Sequence, residues 1–273
     1  MKILKTTSEL KRCLDDRPQG SLGFVPTMGA LHKGHISLIK RARQECDFVV
    51  LSILVNPTQF GDQSDIEQYP RTFEVDAEIA KNSGVDVVFA PSAEDLYGGV
   101  PHAEKVDYGD ITSGFEASFR PGHFDGVVAV VDKLFRAVTP DKAFFGEKDL
   151  QQVAVVRRLA SQEHSSIEIV SCELVRSDSG LALSSRNMRL SEKGVADALA
   201  LSKALKAIAS SSNKSAELFA QTALLNDNTV VELEYLKGVN EITFKDNDKE
   251  ENWTHIVVAG EVEGVRLIDN VRL

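Results

Sequence analysis

Two histidines three residues apart, His32 and His35, stand in the segment Pro26-Thr27-Met28-Gly29-Ala30-Leu31-His32-Lys33-Gly34-His35. At helical spacing both imidazoles can address one bound group. Gly29 and Gly34 permit a tight turn and a close backbone approach. Where such a turn opens a helix, unpaired N–H groups and the positive end of the helix dipole suit a phosphate. Two plainer readings stay open: a glycine turn that binds nothing, and an H-x-x-H metal pair, for which no convincing third ligand stands out.

Four further segments carry usable polar groups. In Val55-Asn56-Pro57-Thr58-Gln59-Phe60 the uncharged Asn56 and Gln59 suit the hydroxyl and carboxylate groups of a small polar substrate. The same residues also read as an Asn-Pro turn that merely ends a strand. Arg120-Pro121-Gly122-His123-Phe124 is either a rigid loop leading into a helix or a surface loop. Gly146-Glu147-Lys148-Asp149, followed by Gln151 and Gln152, opens a helix, with Lys148 either a point charge for phosphate or part of a solvated helix start. Leu183-Ser184-Ser185-Arg186-Asn187 offers two hydroxyls and a guanidinium to phosphate oxygens, or a capping turn before Leu190.

Regular elements must bring these segments together. Apolar, β-branched runs at 21–26, 47–55, 85–90, 142–145 and 167–170 read as buried strands. Helical spacing follows from 35 onward and over 72–83, 124–138 and 150–161. Alternation of this kind predicts an α/β fold, a Rossmann-like, doubly wound parallel sheet. Ligands of such sheets sit beyond the carboxyl ends of the strands, where three of the segments lie. After residue 175 the pattern changes. A long Ala/Leu/Lys helix over 191–212 precedes alternating stretches at 230–236, 241–244 and 255–273, the signature of a small antiparallel sheet with one solvated face. The division expected is therefore 1–174, a first domain carrying the phosphate- and small-substrate-suited segments, and 175–273, a smaller α+β domain, with 245–252 a charged, solvated loop.

Composition narrows the class. Of 273 residues, 31 are basic and 41 acidic, so the formal charge is −10, which argues against nucleic acid as a partner. The longest apolar stretch, 48–55, falls well short of the roughly 18 residues a membrane span needs. The N-terminal Met1-Lys2-Ile3-Leu4-Lys5 lacks the apolar region of a secretory signal. Cys13, Cys46 and Cys172 are few and far apart, as expected in a reducing compartment. A soluble cytoplasmic protein with neither membrane nor nucleic-acid partner is the expectation.

The segment 26–35 resembles the His-x-Gly-His motif of the nucleotidyltransferase superfamily, which includes the class I aminoacyl-tRNA synthetases. Joined to Asn56-Pro57-Thr58-Gln59-Phe60-Gly61, Tyr69-Pro70-Arg71, Arg120-Pro121-Gly122-His123-Phe124, Phe145-Gly146-Glu147-Lys148-Asp149-Leu150-Gln151-Gln152 and Ser184-Ser185-Arg186-Asn187, it is similar to the pantoate–β-alanine ligases. The resemblance runs over nearly the whole chain. It implies the condensation of (R)-pantoate with β-alanine, driven by ATP with Mg²⁺ through an enzyme-bound pantoyl adenylate, in a homodimer. It further implies that Met28, Gly29, Ala30, Leu31, His32, Lys33, Gly34 and His35 line ATP, with His35 as proton donor. Gly146, Glu147, Lys148, Asp149, the backbone of Val175, and Leu183, Ser184, Ser185 and Arg186 are implied as further ATP contacts. Gln59 and Gln152 would hold pantoate, with Asn56 beside them and Gln59 also facing β-alanine; Asp76 matches a position near the metal in some members. His32, His35, Lys148, Ser184, Ser185 and Arg186 would supply the donors that the reaction needs, and the smaller domain, hinged near Val175, would act as a lid.

The pattern departs from that family at Ser177, where Glu is usual, at Ser179, where Asp is usual, and at Leu183, where Met is usual. Three alternatives follow. A different adenylyl- or cytidylyltransferase would share the His pair without needing Asn56 or Gln59. A nucleotide-binding module would have lost turnover through Ser179 and Leu183. An NAD-dependent oxidoreductase fits poorly, since no G-x-G-x-x-G follows the first strand.

Overall fold

The structure is a computed structural model that describes residues 1–61, 66–245 and 249–273. It divides into two compact units, one of Met1–Gly146 with Val155–Cys172, the other of Glu147–Ala154 with Glu173–Leu273. Among the described residues no helix is long and apolar enough to cross a membrane. Of the charged loop expected over 245–252, residues 246–248 lie outside the described residues.

The first unit is built on β1 (Lys2–Leu4), β2 (Leu22–Thr27), β3 (Phe48–Ile53), β4 (Val87–Phe89), β5 (Lys142–Gly146) and β6 (Glu168–Cys172). Among the described residues these form one sheet in the order β1-β4-β3-β2-β5-β6, every pair parallel. Around it run α1 (Thr7–Asp15), α2 (Lys33–Glu45), α3 (Phe73–Asn82), α4 (Ala93–Tyr97), α5 (Glu116–Phe119) and α6 (His123–Val138). The next helix, α7 (Leu150–Glu163), begins in the second unit and continues in the first. The long apolar runs become central strands because both faces are covered. On one face Leu38, Ile39 and Ala42 of α2 meet Val25, Val49, Leu51 and Phe144. On the other, Phe24 stands edge-on to Phe135 of α6, ring centroids 6.4 Å apart. The strand order reverses beside β2, between β3 and β5, so the crevice of the doubly wound fold opens where 28–35 leaves the sheet. β1 and α1 are additions to the sequence expectation. β1 is a three-residue edge strand, too short to carry a pattern, and α1 announces itself only by the capping box of Thr6 with Glu9.

The second unit holds the antiparallel sheet β7 (Glu232–Val239), β8 (His255–Val262) and β9 (Val265–Arg272), under α8 (Glu192–Ser210) and α9 (Lys214–Asn226). Leu201, Leu205 and Ile208 of α8 bury themselves against Leu236, Ile256, Val258 and Leu267. Residues 241–244, expected as a strand, form a turn instead. The Asn240 side chain accepts from Ile242 N at 3.0 Å and its carbonyl from Phe244 N at 3.0 Å, so local caps prevail over the alternating pattern.

Candidate active site

At the carboxyl end of β2 the chain turns sharply through Gly29 and Ala30, both at positive φ (85° and 51°). Buried Asp76, from the first turn of α3, holds this turn. Its carboxylate accepts from Ala30 N at 2.9 Å, Leu31 N at 2.7 Å and Thr72 Oγ1 at 3.1 Å. Three of its four lone-pair directions are thus taken within the protein. That makes Asp76 a clamp on the loop, and it also explains the loop's departure from ordinary backbone conformation.

The histidines then cap α2 reciprocally. His32, at the N-cap, accepts on Nδ1 from Gly34 N at 3.1 Å, and His35 accepts on Nδ1 from His32 N at 3.3 Å. A nitrogen that accepts carries no proton, so each neutral ring bears its hydrogen on Nε2. The two rings lie 4.1 Å apart between centroids, with 37° between their planes. Gly34 is what lets His32 fold back: a Cβ there would stand 2.9 Å from the His32 ring. The pair therefore presents two Nε2–H donors at the positive end of a helix, an arrangement suited to phosphate oxygens. Lys33, between them, turns its side chain to solvent.

Beyond β3, Asn56 and Gln59 occupy a single turn of 3₁₀ helix, Pro57–Gln59. Asn56 is buried, and the protein uses its amide fully. Nδ2 donates to Gln59 Oε1 and Gly126 O, both at 3.1 Å, while Oδ1 accepts from Tyr97 OH at 3.0 Å and Thr58 Oγ1 at 3.1 Å. Burial pushes the Tyr97 hydroxyl's pKa upward against its own hydrogen bonds with Thr58 Oγ1 and Asn56 Oδ1, which keeps it a donor. The structure thus gives Asn56 the task of aiming Gln59. Gln59 Nε2 in turn points at Met28 Sδ, 3.3 Å away, which joins the phosphate-suited loop to the amide. A thioether is a weak acceptor, so a carboxylate would displace it readily.

The Arg120–Phe124 segment finds its place here. Arg120 Nη1 donates to His123 Nε2 at 3.0 Å, which leaves the His123 proton on Nδ1 to donate to Gln59 O, also at 3.0 Å. Helix α6 then passes so close that a Cβ on Gly126 would lie 2.3 Å from Thr58 O. His123 and Gly126 support the Gln59 backbone from behind. Sequence reasoning singled out the segment without finding that role; the signal available was only a histidine beside an arginine in a glycine loop.

The second unit carries the remaining candidates. Lys148 lies in the turn Glu147–Asp149, keeps a fifth of its side chain exposed, and meets Asp149 Oδ1 at 3.3 Å. Gln151 is buried at the start of α7, and Gln152 is half-buried beside it. Val175 to Leu183 forms a narrow turn, with Leu183 N donating to Val175 O at 3.0 Å and Arg176 bridged to Ala182. At its tip Ser177 and Ser179, the residues that depart from the family pattern, hydrogen-bond each other at 2.8 Å. Ser184 caps the following turn, Ser185–Arg189, by accepting from Arg186 N at 3.3 Å; Ser185 is buried and Arg186 half-buried. Among the described residues no three His, Cys, Asp or Glu side chains cluster in a way that could hold a metal ion.

Comparison with known proteins gives one consistent result. The model of the pantoate–β-alanine ligase family matches residues 2–272. A pantothenate synthetase of Cytophaga hutchinsonii is 46% identical over 264 residues, 94% of this chain and 93% of that protein. One of Bacteroides thetaiotaomicron is 41% identical over 282 residues, 100% of this chain and 99% of its own length. Among solved structures, the pantothenate synthetase of Thermus thermophilus superposes with a TM-score of 0.91 at 39% identity, covering 100% of this chain and 99% of that one. The Francisella tularensis pantoate–β-alanine ligase, solved with β,γ-ATP and β-alanine, gives 0.83 at 34% identity, covering 100% and 97%. Matched along its length by family, sequence and fold, the chain belongs to the pantoate–β-alanine ligases, enzymes that form an amide bond.

Proposed function

We propose that the chain makes pantothenate from (R)-pantoate, β-alanine and ATP in two steps. In the first, a pantoate carboxylate oxygen attacks the α-phosphorus, and the bond from that phosphorus to diphosphate breaks. In the second, the β-alanine amine attacks the acyl carbon of the resulting adenylate. The bond to AMP breaks and the amine gives up its proton. The observation that carries this reading is the reciprocal histidine cap, with two Nε2–H donors fixed at one helix start. Both partners of the first step are anions, so the chemistry calls for fixed donors around the transferring phosphoryl group and no protein nucleophile.

Within this reading 28–35 contacts the ATP phosphates, and His35 Nε2–H donates to the oxygen that takes up charge. Gln59 and Gln152 grip pantoate, with Asn56 holding Gln59 in place. Gly146 to Asp149, Val175 and Leu183 to Arg186 serve ATP, with Lys148 and Arg186 as its cations. The adenylate is prone to hydrolysis, and the second unit acts as the lid that keeps water from it. Mg²⁺, if brought by ATP, would be held mainly by the nucleotide and would supply charge neutralisation there. Asp76 fits a metal poorly because Ala30, Leu31 and Thr72 already use its oxygens, so no step is assigned to the ion. The family resemblance supports a homodimer, which sedimentation velocity tests. Free Cys13, Cys46 and Cys172, all buried, fit a cytoplasmic enzyme.

ATP–diphosphate exchange with β-alanine withheld tests the reading. Exchange that requires pantoate supports adenylate formation. ATP binding without exchange favours a module that has lost turnover, and exchange with another acid alone keeps the superfamily and discards the substrate.

A further inference from the structure

The turn that carries Lys148 is fastened by side chains from the far end of the same unit. Asn270, buried on β9, donates its two amide hydrogens to Glu147 O at 2.7 Å and Lys148 O at 3.3 Å. Its neighbour Asp269, also buried, takes a bidentate pair from Arg176 at 2.6 and 2.9 Å. Arg176 donates further to Asn270 O at 2.8 Å and to Gly180 O at 3.1 Å. Asp269 accepts from Asn270 N at 2.7 Å, which closes the network. Burial raises the Asp269 pKa, and the Arg176 guanidinium opposes that rise. None of Asn270, Asp269 and Arg176 is itself assigned to substrate, although the Lys148 charge also acts on the Asp269 carboxyl. The network touches both segments assigned to ATP in this unit, the Lys148 turn and the turn that leads to Ser184.

We infer that Asn270 is a positioning residue for Lys148, and that with Asp269 and Arg176 it fixes the distance between Lys148 and the Ser184–Arg186 clamp. The inference rests on the reading that Lys148 serves ATP. A lysine is a point charge on a flexible stem, so its placement on a phosphate depends on how firmly its backbone is held. One amide nitrogen that donates to two successive carbonyls fixes both the position and the rotation of that backbone. A displacement of about 1 Å can slow an enzyme about 100-fold.

A double-mutant cycle on ATP–diphosphate exchange tests this in the full-length protein. Asn270→Ala is expected to slow exchange about 100-fold in the native background, on the displacement argument above. With Lys148 already replaced by Ala, the same change is expected to slow it further by less than about threefold, because nothing remains to be positioned. A merely structural role for Asn270 predicts equal losses in both backgrounds, and that result would overturn the inference. Native-like exchange by Asn270→Ala would overturn it as well. If Lys148→Ala alone leaves exchange near the native rate, the assignment of Lys148 to ATP fails instead. Thermal melts accompany each variant. Should Asn270→Ala lose its cooperative melt, Asn270→Ser, which keeps one donor, completes the same cycle and is expected to give an intermediate loss.

Discussion

Two strand-to-helix junctions of the same kind hold their polar groups by opposite means. After β2, the start of α2 caps itself: His32 and His35 hydrogen-bond backbone amides two and three residues away. After β5, the turn carrying Lys148 leans on Asn270, 122 residues further along the chain. A self-capped junction is rigid as soon as its helix forms, whereas the second needs the β7-β8-β9 sheet in place. The difference teaches where each group takes its support: the histidine rings from their own helix start, with Asp76 holding only the turn before it, and Lys148 from a distant strand.

The largest effect expected is on the self-capped side. His35→Ala removes the donor proposed for phosphate and half of the reciprocal cap, and loss of one such donor slows catalysis about 100- to 1,000-fold. Exchange kinetics check this, and a loss below about tenfold removes His35 from the mechanism. Gly126→Ala should come next. The new Cβ meets the Thr58 carbonyl, which is backbone and has little room to give. Overpacking of this sort destabilises by about 1–3 kcal/mol, and a rigid neighbour puts this site at the upper end. A melt compared with pantoate KM reads both consequences, since the turn that moves carries Gln59; a native melt with native KM would deny the close contact any importance.

Asp76→Asn asks whether the histidine junction is as self-sufficient as the comparison claims. The substitution keeps one acceptor oxygen and turns an amide toward the other N–H. Hydrogen bonds to a charged group contribute about 1.5–3 kcal/mol, so a loss near 2 kcal/mol is expected. If Asp76 clamps the loop, ATP KM rises and the Mg²⁺ dependence keeps its midpoint. A shift of that midpoint would instead make Asp76 part of the metal's surroundings.

Much of the first unit was legible in the sequence because its information is short in range. Runs such as Phe48 to Val55 name central strands, and a glycine turn with histidines at helical spacing names a helix start suited to anions. Gly34 shows how far local reading can go: its missing Cβ is a requirement of the cap itself. Asn56 marks the limit. Its residue type suits a substrate as well as a turn, and only Tyr97 and Gly126, 41 and 70 residues away, reveal that its amide is fully engaged. Asn270 and Asp269 were invisible for the same reason, since a polar pair late in an alternating strand reads as a solvated face until the fold brings Arg176 and Glu147 to it. Residues 241–244 erred in the other direction, where a cap from Asn240 outweighed an alternating pattern.

A control outside both junctions sharpens the comparison with the smallest expected effect. Asp132 on α6 bonds Arg136 at 2.9 Å and His164 Nε2 at 2.8 Å. Burial raises its pKa, but the hydrogen bonds to Arg136 and His164 outweigh that, and the net direction is downward. A carboxyl lowered in the folded state adds stability above its unfolded pKa and loses it as pH falls through the folded value. The native protein should therefore exceed Asp132→Asn by about 0.5–1 kcal/mol at pH 7, the upper part of the surface-pair range, since Arg136 is exposed while Asp132 and His164 are half-buried. That margin should shrink once the pH drops below about 4, the ordinary aspartate range. Urea midpoints at several pH values measure it, and exchange rates at pH 7 should match. A variant that melts lower yet exchanges at the native rate would show that a modest loss of stability leaves both junctions intact, so that the losses expected at His35 and Asn270 belong to the groups they hold. A margin that grew on acidification would reverse the sign argued for Asp132.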